Sequence, residues 1–382
     1  MTTSSAAEPP VPGPDPGPVE SADEGATPDA SLVDEPYSHR GLTYPLGRTA
    51  PEPGALIELG DGVGWTRLPV PGSLNHINVW LLEDGAGVAI VDTGLNISPA
   101  RKAWETLFAG PLAGRTVTRV IVTHFHPDHI GLAGWLTERF GVPLWMTRGE
   151  WLFARMLAAD TRDAPPLEAL AARRAAGWEE ERIAAEAARG WRGFASVVGA
   201  VPVGMVRMRD GDIVRIGARD WRIVTGNGHS PEHACLVDEV GKLMIAGDQV
   251  LPRITSNVSV SLSEPEGDPL GEWLDSIAKL RGLPDDLLVL PAHGEPFTGL
   301  HARLDALAQG HRGRLDALHD HLAEPRRAVD CFRVLFGRAI EGGSFGLATG
   351  EAMAHLRHLE VEGRALREVR DGVYWYRAAG SA

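Results

Sequence analysis

The stretch VIVTHFHPDH runs from Val120 to His129 and places His124, His126, Asp128 and His129 within six positions of one another. An apolar run that breaks straight into four such side chains constrains the fold, because the chain must hold a polar loop firmly at the end of a buried element. Imidazole nitrogen and carboxylate oxygen at this density are the donors that a borderline or hard divalent cation prefers. Loop polarity alone does not account for all four.

The same pattern recurs along the chain. VAIVD ends at Asp92, RIVTGNGH at His229, LMIAGD at Asp248 and LLVLPAH at His293. Short runs of Val, Ile and Leu bounded by Gly or Pro predict strands covered on both faces. Strands running the same way would bring their terminal loops together, which is where α/β folds build their sites. GWTRLPV and NHINVWLLE predict two further strands around a PGS turn. IGLAGWLTERF has helical spacing, so the histidine loop joins a strand to a helix.

Residues 149–195 are rich in Ala, Glu and Arg, with helical periodicity and no strand-like run, and predict a helical insertion. Lying between two ligand motifs, it can cover the site or simply pack on the core as a solvated helical pair. The last 80 or so residues predict helix, helix and hairpin, an order that suggests a winged helix. The Asp371–Gly372 pair marks the tight hairpin turn.

Composition narrows the class. The net charge is −14, but residues 1–36 hold eight acids and no Lys or Arg. Their Pro, Gly and Ser content cannot bury enough apolar area to offset ordering entropy, so disorder is expected over residues 1–43. The metal-binding domain is expected at 44–300 and the winged-helix-like domain at 301–382. The latter carries 12 basic and 11 acidic residues, whereas nucleic-acid modules concentrate positive charge, so nucleic acid is the disfavoured partner. No run nears the roughly 18 apolar residues of a membrane span, and the N-terminus lacks the features of a secretory signal. A cytoplasmic location is expected. Cys235 and Cys331 read as buried small residues.

THFHPDH resembles the H-x-H-x-D-H motif of the metallo-β-lactamase superfamily, and Asp92, His229, Asp248 and His293 match its other motifs in order. The resemblance covers roughly residues 56–300. It implies an α/β architecture of αββα type, two mixed sheets with helices outside and metals at one edge. It also implies two divalent ions, zinc by expectation, with iron or manganese as alternatives. His124, His126 and His229 would hold one, Asp128, His129 and His293 the other, and Asp248 would bridge them. Asp128 and Asp92 are the carboxylates expected to serve catalysis, Asp92 by orienting a ligand from behind. His233 and His76 are set outside the metal set, His233 as a structural or supporting histidine and His76 as a half-buried strand residue.

His126 stands where flavodiiron relatives carry an acid, which disfavours a diiron oxygen reductase. QVLPRITSNVSV after Asp248 and a near-neutral tail depart from dedicated glyoxalase II enzymes. PLGEWLDSIAKL, PAHGEPF and AHLRHLEVEGR are similar to the glyoxalase II-like subgroup that includes the β-lactamase-like protein 2 proteins. The resemblance implies a metallo-hydrolase in which a metal-bridging hydroxide attacks a small acyl thioester or ester, an acyl-CoA among the candidates. The alternatives are a single-stranded RNA endonuclease using the same site and a mononuclear iron persulfide dioxygenase. The oligomeric state is left open, a homodimer included.

Overall fold

The computed structural model describes residues 35–380. Most of the segment expected to be disordered thus lies outside the described residues, but its end corrects the expectation. There β1 (Tyr37–His39) and β2 (Leu42–Tyr44) pair as an antiparallel hairpin. Tyr37 stacks on the buried Tyr44 with ring centroids 4.7 Å apart, and Thr43 exchanges backbone hydrogen bonds of 3.1 and 2.8 Å with Thr298. Partners some 250 residues away order this segment, and local composition does not report them.

Among the described residues, the first large sheet has seven strands in chain order. They are β3 (Ile57–Glu58), β4 (Val63–Pro69), β5 (His76–Asp84), β6 (Gly87–Val91), β7 (Thr116–Ile121), β8 (Leu144–Thr147) and β9 (Val206–Met208). Pairing is antiparallel from β3 to β6 and parallel from β6 to β9. Helix α1 (Ser98–Ala109) makes the crossover from β6 to β7, and α2 (Pro127–Ile130) and α3 (Ala133–Phe140) follow β7. The predicted insertion falls between β8 and β9 as α4 (Arg148–Ala159), α5 (Leu167–Ala175), α6 (Glu180–Ala187) and α7 (Gly193–Val197).

The second sheet contains β10 (Ile213–Ile216), β11 (Arg219–Gly226), β12 (His233–Asp238), β13 (Leu243–Gly247) and β14 (Leu288–Pro291). Only β13 and β14 are parallel, joined through α8 (Pro269–Leu280). The two sheets pack face to face through one apolar cluster, with Trp65, Trp80 and Ile121 from the first against Trp221, Ile223 and Ile245 from the second. The outer faces are covered too. Leu81, Ile90 and Val120 lie under Trp104 of α1 and Leu136 of α3, while Val224, Val237 and Met244 lie under Trp273 and Ile277 of α8. This is the expected αββα layering, and it explains why β6 and β13 are buried at every position.

After β14 come α9 (Leu300–His321), α10 (Phe332–Phe336), α11 (Phe345–Val361) and a hairpin of β15 (Ala365–Arg370) and β16 (Val373–Ala378). Asp371 and Gly372 both have positive φ, 50° and 79°, the twist that a two-residue Asp-Gly turn supplies to a hairpin. Among the described residues this part has no separate core. Leu304, Leu356 and Tyr376 belong to the same apolar cluster as the outer face of the second sheet. The insertion is fastened to it as well: Trp178 Nε1 donates to Thr349 Oγ1 at 2.9 Å, and its ring meets Phe345 edge-on.

Candidate metal centre

Every predicted site residue follows a strand of the αββα core, and all of them collect at one edge. Asp92 follows β6, the histidine loop follows β7, His229 follows β11, Asp248 follows β13 and His293 follows β14. Local backbone chemistry sets the approach of one loop. Gly228 has φ +96°, and a Cβ there would stand 2.4 Å from the Pro269 carbonyl oxygen. The TGNGH turn (Thr225–His229) therefore needs glycine at 228 to lay His229 against the start of α8.

Two donor clusters result, His124, His126, His229 and Asp248 in one and Asp128, His129 and His293 in the other. In the first, His126 Nδ1 lies 2.8 Å from His124 Nε2 and 3.0 Å from His229 Nε2, and those two nitrogens are 3.2 Å apart. Asp248 touches both clusters. Its Oδ2 is 3.4 Å from His229 Nε2 and 3.8 Å from His124 Nε2. Its Oδ1 is 3.5 Å from His129 Nε2 and 3.4 Å from His293 Nε2. Asp128 Oδ2 completes the second cluster, 3.3 Å from His293 Nε2 and 3.8 Å from His129 Nε2.

The supporting hydrogen bonds decide which nitrogen of each ring faces inward. His129 Nδ1 donates to Asp92 Oδ2 at 2.8 Å, His229 Nδ1 to the Asn257 carbonyl at 2.7 Å, and His293 Nδ1 to the His76 carbonyl at 2.7 Å. Each donation leaves Nε2 as a bare lone pair aimed into the cluster. His129 Nε2, His293 Nε2 and Asp248 Oδ1 are buried without a hydrogen-bond partner. Buried polar atoms without partners cost about 1–3 kcal/mol each, so three together, all acceptors and all convergent, fit a divalent cation as their shared partner. The seven residues are able to hold divalent metal.

Electrostatics agree. Burial and the neighbouring imidazoles hold His124 well below its ordinary value, and burial takes His126 down to about 3. Both rings are therefore neutral donors at pH 7. Burial also opposes charge on His129, but Asp92, Asp248 and Asp128 outweigh it and raise this imidazole well above its usual range. Burial lowers and then Asp248 and Asp128 more than restore the pKa of His293. The second cluster thus carries surplus negative charge that protons or a metal must neutralise.

Asp92 lies behind His129, away from the interior of the cluster. It is 1% exposed, at φ 66°, a left-handed conformation that Asp tolerates better than most residues. Its Oδ1 accepts from Thr123 N at 2.8 Å and its Oδ2 from His129. Its carboxylate is thus engaged with Thr123 and His129 and not turned to the interior of the cluster, the placement expected of a group that orients a ligand from behind. His233, excluded from the ligands, accepts the Asp248 N–H at its Nε2 at 3.1 Å.

Three supporting residues escaped the sequence reading. Glu150, on the first turn of α4, accepts from Ser230 Oγ at 2.7 Å, Glu232 N at 2.6 Å and Phe125 N at 2.9 Å. It clamps the histidine loop to the His229 loop, and burial pushes its carboxyl up to about 7. Thr123 and Asn257 are the others. RGEW gives Glu150 no motif, and Asn257 supports His229 through a backbone carbonyl, which any residue could offer.

A sequence profile of the metallo-beta-lactamase superfamily matches residues 72–293. The chain belongs to the metallo-beta-lactamase superfamily. It is thus a member of a superfamily of metallo-hydrolases. A second profile, of the metallo-beta-lactamase-like C-terminal domain, matches residues 315–379. The crystal structure of a beta-lactamase domain protein from Burkholderia ambifaria is similar at 41% identity and TM-score 0.82, covering 88% of this chain and 98% of that one. Acyl-coenzyme A thioesterase MBLAC2 of Homo sapiens is 27% identical, over 50% of this chain and 64% of its own. Atrochrysone carboxyl ACP thioesterase of Emericella nidulans is 24% identical, over 78% of each chain. Among the described residues, no helix is long and apolar enough to cross a membrane.

Proposed function

We propose that this chain hydrolyses an acyl thioester at a centre of two divalent cations. His124, His126 and His229 would hold one cation, Asp128, His129 and His293 the other, and Asp248 both, with zinc as the expected metal. The observation that carries this reading is the position of Asp248, whose two carboxylate oxygens face different imidazole sets at 3.4–3.8 Å. When bound, such a pair supplies an activated water-derived nucleophile at neutral pH and polarises an acyl carbonyl.

The chain's own residues do the rest. Asp92, the Asn257 carbonyl and the His76 carbonyl hold three imidazoles in the tautomer that presents Nε2. Asp128 has one carboxylate oxygen beyond the Oδ2 that completes the second cluster, and that oxygen would accept the proton that the attacking water gives up. Phe125 lies against His126, with ring centroids 4.4 Å apart, and keeps water off one side of the centre. Ser230, the hydroxyl beside His229, is already committed to Glu150. That arrangement suits a leaving group that departs without a proton. A thiol, with pKa about 8.5, leaves as thiolate far more readily than an alcohol or amine. Two thioesterases among the relatives agree with this choice.

The test is a panel of acyl-CoA, glutathione-thioester and lactone substrates offered to the zinc-loaded protein. At least one thioester should turn over, and His126→Ala should lower kcat/KM by about a hundredfold or more. An untouched panel, or a variant indistinguishable from wild type, would sink the proposal.

A further inference from the structure

Next to His126 and His229 lies a cavity of about 700 Å³ that the metal centre itself does not explain. It falls within the range of sites that enclose a small organic ligand. Its walls come from three parts of the chain: the insertion supplies Phe153, Leu157 and Phe194, the histidine loop supplies Phe125, and the start of α11 supplies Gly346 and Leu347. Phe125 lies 4.8 Å from Phe153 and 6.4 Å from Phe194, centroid to centroid. All three rings are only partly buried by protein. Gly346 opens the same space, since a Cβ built there meets no atom within 4 Å.

The opposite wall is acidic. Glu264, Asp268 and Glu272 line it, and Asp268 is bound to His358 and caps α8. Arg173, the basic side chain in the lining, stacks over Trp178 at 5.0 Å. Three carboxylates against one guanidinium disfavour the phosphates of a coenzyme A in this space. An uncharged alkyl chain escapes that repulsion and can lie along the Phe125, Phe153 and Phe194 side, leaving the carboxylates hydrated.

We infer that this cavity receives the acyl chain of the substrate, a medium-length alkyl chain, with the thiol carrier directed away from it towards solvent. This rests on the thioester reading and adds the substrate class. The aromatic cluster of the insertion and the glycine face of α11 then set chain length. Each methylene that enters the cavity contributes about 0.8 kcal/mol, roughly fourfold in binding. The insertion, which its sequence leaves open as either a cover or a solvated helical pair, then acts as a specificity wall together with the C-terminal helix.

The experiment compares acetyl-, hexanoyl-, decanoyl- and palmitoyl-CoA with zinc-loaded wild type and Gly346→Leu. Leucine at this helical position is favoured over glycine by propensity, and its side chain projects into open space, so the variant is expected to fold, which circular dichroism checks. In wild type, kcat/KM for decanoyl should exceed that for acetyl by about tenfold or more, and in G346L this ratio should fall by about tenfold. Equal rates on acetyl and decanoyl in wild type, or a proportional loss on both in G346L, would overturn the inference and leave the thioester reading standing. If no CoA thioester is hydrolysed, binding of dansyl-undecanoic acid to the metal-free protein becomes the readout, while the glutathione thioesters of the panel decide the thioester reading. Fluorescence enhancement in wild type that is lost in G346L supports the cavity assignment, and no enhancement in wild type overturns it.

Discussion

Asn257 holds His229 in place: its carbonyl oxygen is 2.7 Å from the ring Nδ1. The same residue is held from the other side, because its Nδ2 donates at 3.2 Å to Oε2 of Glu351, a fully buried carboxylate on α11. The C-terminal helix therefore reaches the metal centre through one intermediate residue. Removing Glu351 leaves the Asn257 amide without its acceptor and frees the loop that orients His229. Glu351→Ala should weaken zinc binding by up to about tenfold, measured by competition with a chromophoric chelator. Glu351→Gln keeps an acceptor at that point and should stay within about threefold of wild type.

The charge on Glu351 has a separate consequence for stability. Burial raises its carboxyl to about 7, with Arg314 and Asn257 pulling the other way. A folded pKa above the unfolded value of 4.5 means that the folded state binds the proton more tightly. Stability from this group is full below about 4.5 and is lost as pH rises through about 7. Glu351→Gln, which cannot ionise, should match wild type near pH 4.5 and exceed it at pH 8 by up to about 3 kcal/mol. Denaturant unfolding of both proteins at equal metal saturation measures this difference. A constant difference across that range would contradict the sign.

Glu150 offers a sharper structural test because three donors converge on it. Substitution by alanine strands the Phe125 and Glu232 amides and the Ser230 hydroxyl, at about 3 kcal/mol or more in total. Glu150→Ala should lower Tm by several degrees and weaken zinc binding by about tenfold or more. Glutamine should not rescue it fully, since its NH2 must face either the Phe125 N–H or the Ser230 and Glu232 donors. Calorimetric melting with and without zinc separates the two effects.

Asp92→Asn isolates the orienting role of the carboxylate. Asparagine accepts the left-handed backbone at this position, so the loop should keep its course. The lost charge should weaken metal binding at the Asp128, His129, His293 cluster by about 10–100-fold and leave the other cluster within about threefold of wild type. A zinc titration with two resolved steps should show only one of them shifted.

The donor set was readable in the sequence because it is carried by side-chain identity at the ends of apolar runs. His124, His126, Asp128 and His129 sit in one loop, and Asp92, His229, Asp248 and His293 each close a strand-like run, so the strand pattern and the chemistry point to the same edge. The supporting residues are a different matter. Asn257 and His76 act through backbone carbonyls, and Glu150 becomes a clamp only once the loops after β7 and β11, from different sheets, meet beside α4. The hairpin at Tyr37–Tyr44 was hidden for a similar reason, being built from two three-residue strands beside a proline-rich acidic segment and ordered by Thr298. The cavity required three segments far apart in sequence to meet, which no local pattern encodes. The Asp371–Gly372 turn was readable because its requirement for positive φ is local.

Two cations sharing Asp248 would give the folded chain a fixed metal stoichiometry. Metal analysis by mass spectrometry, on protein purified without added metal and quantified by amino-acid analysis, tests it most directly. Two equivalents of divalent metal per chain are expected in wild type. A stoichiometry of one equivalent in fully folded wild-type protein, not raised to two by added zinc, would contradict it.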